Sequence, residues 1–377
     1  MSNTYQICNN CIMDTSDSTI KFDSEGVCVY CGNFKNTILP SWHNLDEEIL
    51  YKFVNKIKKQ GEGKDLDCII GLSGGLDSSY LTYVAKEKLG LRPLLFHVDA
   101  GWNTEKAVSN IENLVDGLGL DLYTEVINWE EMKNLQVSFL KSQIPHQDIP
   151  QDTAFFSALY KFARKHKIKY VLTGGNFSTE CIREPEEWGA YPGTDKMLIL
   201  DIHSKHGKVP LKTFPIIDVF VSKIYYKYIL GMQVFKPLDF IDYVKNDAEI
   251  ELKEKFGWKK FKHKHHESRF TRFFEDYWLV EKFGFDRRRA HFSSLILTNQ
   301  MTRLEAIERI KEAELSKDFI ESEFEYVAHK LDLTTNELKT IFEGKNKTTA
   351  NYKSKHFLVD IGSRAMRFLG IEKRLYK

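Results

Sequence analysis

The sequence predicts an α/β protein on a doubly wound parallel sheet, with a small N-terminal zinc knuckle and a helical C-terminal region. Three observations predict it. Short apolar runs alternate with helix-period segments between residues 66 and 176. The first, second and fourth of those runs end in polar or glycine-bearing segments, at 73–79, 99–103 and 173–176. Two Cys-x-x-Cys pairs stand ahead of them, at Cys8/Cys11 and Cys28/Cys31. Ligands in such sheets sit beyond the carboxyl ends of the strands, near the reversal of strand order, so the three polar ends predict one crevice. The expected division is 1–40 for the knuckle, 41–235 for the sheet and 236–377 for the mainly helical remainder.

The first element rests on cysteine spacing. Four of the six cysteines fall within the first 31 residues, with sixteen residues between the pairs. Each Cys-x-x-Cys turns both sulfurs inward, and two at this spacing suit a tetrathiolate zinc site with no open position. So small a fragment lacks an apolar core, which makes the metal its source of stability. A disulfide framework and a redox Cys-x-x-Cys pair are the alternatives. The N-terminus carries no signal-peptide pattern, so a cytoplasmic setting is expected, and it disfavours disulfides. Cys68 lies in an apolar run and reads as core, whereas Cys181 follows a predicted site loop.

Residues 33–48 read as a polar connector holding Pro40 and Trp42. Helical spacing follows at Ile49, Phe53, Val54 and Ile57, broken by the glycines of 60–64. The run 66–70 is the first strand, and a helix begins after 79. Residues 93–98 form the second strand, 105–118 a helix closed by Gly119, and 122–127 the third strand. Pro145 and Pro150 frame a loop before a helix over 153–166 and a fourth strand at 170–173. Residues 197–202 and 214–220 are expected to add strand or helix at the sheet edge. Beyond 235 the chain is charged, aromatic and helical, with Thr302-x-x-Glu305 and Thr334-x-x-Glu337 as capping boxes. The last thirty residues, with Phe357, Leu358, Val359, Phe368 and Leu369, are expected to dock.

Composition excludes several classes. Of 377 residues, 42% are hydrophobic and 28% charged, which are ordinary globular values. No apolar run is long enough to span a membrane. A net charge of +1 does not describe a dedicated nucleic-acid binder.

The segment Gly71-Leu72-Ser73-Gly74-Gly75-Leu76-Asp77-Ser78-Ser79 joins the first strand to the helix after it. Paired glycines let backbone N–H groups approach an anion, a helix N-terminus adds donors, and the serine hydroxyls add more. The loop is therefore built to hold phosphate. It lacks the lysine of a Walker A loop and does not fit the dinucleotide fingerprint. Ser73 to Ser78 instead resembles the PP-loop of ATP pyrophosphatases, which grip the β,γ-pyrophosphate and cleave ATP between α and β. That resemblance gives Asp77 the task of holding magnesium.

Three later blocks narrow the family: Trp258-Lys-Lys-Phe261, Lys264 to Phe273, and Lys282 to His291. With the knuckle and the loop they make the whole chain resemble the WbpG-type N-acetyl sugar amidotransferases of surface polysaccharide and O-antigen synthesis. The resemblance implies conversion of a sugar acetamido group into an acetamidino group, with a UDP-2,3-diacetamido-2,3-dideoxy uronic acid as the expected substrate. It implies an O-adenylyl imidate, with AMP and pyrophosphate released. Zinc is then structural, and magnesium accompanies ATP. Ser73, Asp77, Arg183, Lys264 and Glu267 are the expected catalytic residues. Gly71, Leu72, Ser73, Gly74, Gly75, Asp77, Ser78, His97, Val98, Asp99, Thr173 and Gly174 are expected around ATP. Asn176, Glu180, Arg183, Trp188, His266, Arg269, Arg272, Arg288 and His291 are expected around the nucleotide-sugar. No glutaminase signature is present. The resemblance therefore implies a separate ammonia-supplying subunit like that of imidazole glycerol phosphate synthase, with its barrel partner. The competing reading is a tRNA-modifying PP-loop enzyme, for which the basic and aromatic strip 258–273 would bind RNA.

Overall fold

The computed structural model describes residues 4–189, 195–355 and Ile361. The expected docking of the last thirty residues through Phe357, Leu358, Val359, Phe368 and Leu369 lies outside the described residues.

Five parallel strands form the sheet: β1 (Cys68–Gly71), β2 (Pro93–Asp99), β3 (Leu122–Val126), β4 (Tyr170–Leu172) and β5 (Gln233–Phe235). Their order is β3-β2-β1-β4-β5, so the chain reverses its direction of travel between β1 and β4. The crevice expected at a topological switch thus lies between the ends of these two strands. β1, β2 and β4 are buried on both faces, which is why they read as continuous apolar runs. Cys68, Ile70, Leu72, Leu95 and Leu172 face one core with Leu50, Val54, Ile57 and Leu114. Ile69, Leu94, Phe96 and Val171 face the other with Leu135, Phe139, Ala158 and Leu159. Period-two alternation along each strand separates the two sets. Both cores extend past residue 240, through Tyr243, Leu252 and Trp258 on one face and Phe270, Phe273 and Trp278 on the other.

Caps explain most helix starts. Asp46 accepts from Ile49 N at 2.8 Å to open Glu47–Gly61. Thr104 opens Glu105–Leu118, and Gly119 closes it at φ +57°. Thr334 and Glu337 form a complete capping box, whereas at Thr302 the hydroxyl accepts from Glu305 N. Residues 197–202 fall within the helix Lys196–His206.

Three elements depart from the expectation. Residues 29–43 are helical rather than a polar connector. Phe34 and Ile38 bury a face against the cysteines, and Trp42, one turn on, meets Phe177 and donates to Asp239 O at 2.9 Å. Trp129–Ser142 is a helix whose buried face carries Glu131 and Gln136 among its apolar residues. Glu131 is satisfied by Thr213 N and Phe214 N, partners distant in sequence that no local pattern reveals. β5 is three residues long at the sheet edge and too short to announce itself. Among the described residues no helix is long and apolar enough to cross a membrane.

Candidate active site

The knuckle brings Cys8, Cys11, Cys28 and Cys31 together, all buried, with their sulfurs within 4.8 Å of one another. Cys8–Cys31, Cys11–Cys28 and Cys28–Cys31 are 3.8, 3.6 and 3.7 Å apart. A tetrahedron with metal–sulfur bonds of about 2.3 Å has edges of about 3.8 Å, so the four thiols fit a structural metal such as zinc. These gaps are too wide for a bonded pair, and all six cysteines are free. Backbone N–H groups of Asn10, Cys11 and Cys28 point at Cys8 Sγ, and Met13 N at Cys11 Sγ, which supports thiolate charge. Cys181 packs beside this cluster, and burial pushes its thiol up to about 12, so it is an inert core residue.

The glycine- and serine-bearing loop 72–75 leaves β1 and enters the helix Leu76–Tyr83 through Gly75. Gly74 takes φ +81°, and a Cβ there would lie 2.6 Å from Ala107 O. Its carbonyl accepts from Asn110 Nδ2 and Trp258 Nε1, each at 3.2 Å, which turns the loop's donors the other way. Ser73 Oγ and Ser78 Oγ are 3.2 Å apart across the loop mouth. From β4, Gly174 packs against the same turn: a Cβ on it would stand 2.7 Å from Asp77 C and 3.0 Å from Ser78 N. Only glycine lets the two strand ends approach so closely.

Asp77 sits in the first turn of that helix, where its charge suits the dipole. Tyr243 Oη donates to Asp77 Oδ1 at 2.6 Å, and Lys264 Nζ lies 3.4 Å from Oδ2. Lys264 also pairs with Glu180. Burial works against the Lys264 charge, but Glu180 and Asp77 hold it well above the usual lysine range. Burial likewise opposes the Glu180 carboxylate, yet Lys264 keeps it below its ordinary value. Glu267 reaches the loop from the C-terminal half: its Oε1 accepts from Ser73 Oγ at 3.2 Å and overlies Gly75. Thr104 N donates to Glu267 O and Arg269 N to Trp102 O, stitching 267–269 onto the segment after β2.

These groups line a crevice of about 390 Å³. Gly71, Ser73, Gly75, Asp77, Ser78, Thr173, Gly174, Glu180, Lys264, Glu267 and His291 all border it. Burial keeps His291 neutral, far below its usual value, and lowers the neighbouring Lys245 ammonium. Phe155, Phe156, Leu159 and Tyr160 supply an apolar wall. Tyr243, Lys245, Trp258 and that wall were missed; only Trp258 stands in a block the sequence singled out.

Other expected site residues are placed elsewhere. His97 lies beneath the loop, bridging Leu72 O at 2.8 Å and Asn103 at 2.9 Å, and burial holds it neutral. Leu72, Val98 and Asp99 do not border the crevice either. Asn176 is buried, capping Phe177–Glu180 and donating to Gly174 O at 2.9 Å, so it positions the loop. Trp188 is fully buried beside the knuckle, with Nε1 bonded to Ser16 O, and no substrate reaches it. Arg183 is exposed and borders a second cavity. His266 pairs with Asp276 at 2.7 Å. Arg269 and Arg272 both grip the buried Glu323, and Arg288 grips Asp286 and Glu314. His266, Arg269 and Arg272 of the basic strip are thus spent on internal ion pairs, whereas its Lys259, Lys260 and Lys262 are exposed.

Residues 267–366 match the family model for the C-terminal domain of WbpG-like LPS biosynthesis proteins. The match begins at Glu267, the residue that meets Ser73. An uncharacterized protein of Methanocaldococcus jannaschii is 26% identical over 189 residues. That stretch covers 48% of this chain and 63% of the relative.

Proposed function

We propose, with the WbpG-like C-terminal domain as the premise, that this chain is an ATP-dependent amidotransferase of surface polysaccharide synthesis that turns a sugar acetamido group into an acetamidino group. The supporting observation is the Ser73–Glu267 contact, which joins the phosphate-type loop to the first residue of that domain inside one crevice.

An amide carbonyl is a poor electrophile, because resonance stabilises it and oxide is a bad leaving group. Its oxygen attacks the α-phosphorus of ATP, and pyrophosphate leaves. Ammonia then attacks the imidate carbon, and AMP leaves with the former amide oxygen. Loop N–H groups, Ser73 and Ser78 receive the outer phosphates, while the charged Lys264 offsets charge on the departing pyrophosphate. Magnesium bound with ATP would neutralise the same oxygens, with Asp77 as its protein ligand. His291 borders the crevice and, kept neutral by burial, offers a ring nitrogen as hydrogen-bond acceptor to the attacking nitrogen. The apolar wall from Phe155 to Tyr160 suits the adenine base. The substrate is a nucleotide-linked diacetamido uronic acid in the cytoplasm, and a separate glutaminase subunit with a barrel partner supplies the ammonia.

The test is pyrophosphate release from ATP and magnesium. A UDP-diacetamido uronic acid with ammonium is expected to stimulate it, and Asp77→Ala to abolish it. Stimulation by tRNA and not by the sugar overturns the reading in favour of RNA modification.

A further inference from the structure

We propose that Lys245 is the cation that holds pyrophosphate as it leaves ATP, a task for which the loop supplies no cation of its own. The proposal rests on the ATP-cleaving reading of the crevice and names the residue that receives the product.

Among the described residues that border the crevice, Lys245 is the cation with no ion pair. Lys264 is tied to Asp77 and Glu180, His263 to Glu314, and His265 to Glu275. Glu249, one helical turn beyond Lys245, is drawn to Lys260 instead. The backbone explains why Lys245 faces inward. Tyr243 is turned onto Asp77, and Val244 is extended at φ −106° and ψ 123°, so residues 243 and 245 leave the chain on one side. Lys245 then opens the helix Lys245–Phe256, its N–H donating to Gln300 Oε1 at 2.8 Å. Gln300 Nε2 in turn donates to Ser178 O at 2.9 Å, which ties this start to the helix after β4. Burial opposes the Lys245 charge, Glu249 and Asp77 support it, and Lys264 opposes it, so it shares one space with the Asp77–Lys264 pair.

The reaction supplies the anion that this arrangement lacks. As the amide oxygen bonds to the α-phosphorus, the bond to the bridging oxygen breaks and its electron pair stays on the pyrophosphate. Lys264 shares its charge with two carboxylates, whereas Lys245 brings a whole one. An uncompensated ammonium in a partly dry cleft gains most from charge that appears only as the bond breaks. It therefore favours the transition state over bound ATP. Its three donors sit on a flexible stem, which lets them follow the product as it moves off.

The probe is magnesium pyrophosphate itself, titrated by calorimetry into the full zinc-loaded chain, with UDP-glucuronic acid as a nucleotide-uronate comparison. Lys245→Met keeps most of the stem and removes the charge, while Lys245→Arg keeps the charge. Lys245→Met is expected to weaken pyrophosphate binding on the order of tenfold, the loss of one charge-assisted contact, and Lys245→Arg by less than about threefold. Melting temperature and UDP-glucuronic acid affinity are expected to stay at wild-type values. Wild-type pyrophosphate affinity in Lys245→Met overturns the proposal, as does a loss in Lys245→Arg as large as in Lys245→Met. An equal or larger loss for UDP-glucuronic acid overturns it too. If Lys245→Met fails to fold, Lys245→Gln carries the same test, and failure of both to fold makes Lys245 structural and overturns it. A wild-type chain that binds no pyrophosphate refutes the phosphate loop itself. One that binds it but shows no sugar-stimulated turnover fails only as an amidotransferase.

Discussion

Tyr243 holds Asp77: its buried hydroxyl donates to Oδ1 at 2.6 Å from a segment 166 residues away. Burial, followed by the Asp77 charge, keeps this phenol protonated far above its usual range, so it is a permanent donor. It leaves Oδ2 facing Lys264 and the crevice. Tyr243→Phe removes the donor and preserves the ring that stacks near Tyr80. One orienting bond is worth about 1.4 kcal/mol, so kcat/KM for pyrophosphate release should fall about tenfold with little change in melting temperature. Unchanged kcat/KM would remove Tyr243 from the site.

Gly75 and Gly174 separate function from stability. A methyl at Gly75 meets the Glu267 carboxylate, which can swing, whereas one at Gly174 meets backbone of Asp77 and Ser78, which cannot. Gly174→Ala should cost about 1–3 kcal/mol by forcing β4 from β1, seen as a lower denaturation midpoint. Gly75→Ala should fold normally and bind ATP more weakly by calorimetry. The reverse pattern would contradict the packing described here.

The pair His265 and Glu275 makes a specific pH signature. Burial opposes the charged imidazole, but Glu275 raises it to about 9. Burial opposes the Glu275 charge too, and Arg287 and His265 bring it down to about 2. A histidine raised in the fold contributes fully below its unfolded value of about 6.5 and loses that contribution as pH climbs toward 9. A glutamate lowered in the fold contributes above about 4.3 and loses it as pH drops toward 2. The stability difference between wild type and Glu275→Gln should therefore be largest between about pH 4.3 and 6.5 and shrink on both sides. Thermal melts across pH check this, and a difference independent of pH would refute it.

The knuckle should fail without its metal. Wild-type protein is expected to carry about one zinc per chain, and Cys28→Ser to lose it along with several degrees of melting temperature. Elemental analysis that finds the same zinc content in both would exclude Cys28 as a ligand.

Much of this site could be read in the chain because its signals are local. The turn 73–78 declares itself through adjacent glycines and hydroxyls, and the cysteines through their spacing. Gly119 and the Thr334 box show the same legibility in helix ends. What escaped depends on distance. Tyr243 meets Asp77, Asn110 meets Gly74, and Glu131 meets Phe214, and none has a neighbour that betrays the pairing. Arg269, Arg272 and Arg288 misled for the opposite reason. An arginine beside an anion site and one clamped on a buried carboxylate look alike until Glu323 and Glu314 are placed. Trp188 likewise gave no hint that it would serve as the knuckle's packing partner.

The knuckle sits partly on residues far along the chain. Arg303 grips the carbonyls of Cys8 and Cys11, Arg289 pairs with Asp14, and Ser293 accepts from Ile12 N. During synthesis the first module of the chain therefore meets Phe177 and Trp188 first, and its seat is complete only once residue 303 has emerged. A chain cut short before that point would hold its four cysteines from the Phe177, Cys181 and Trp188 side alone.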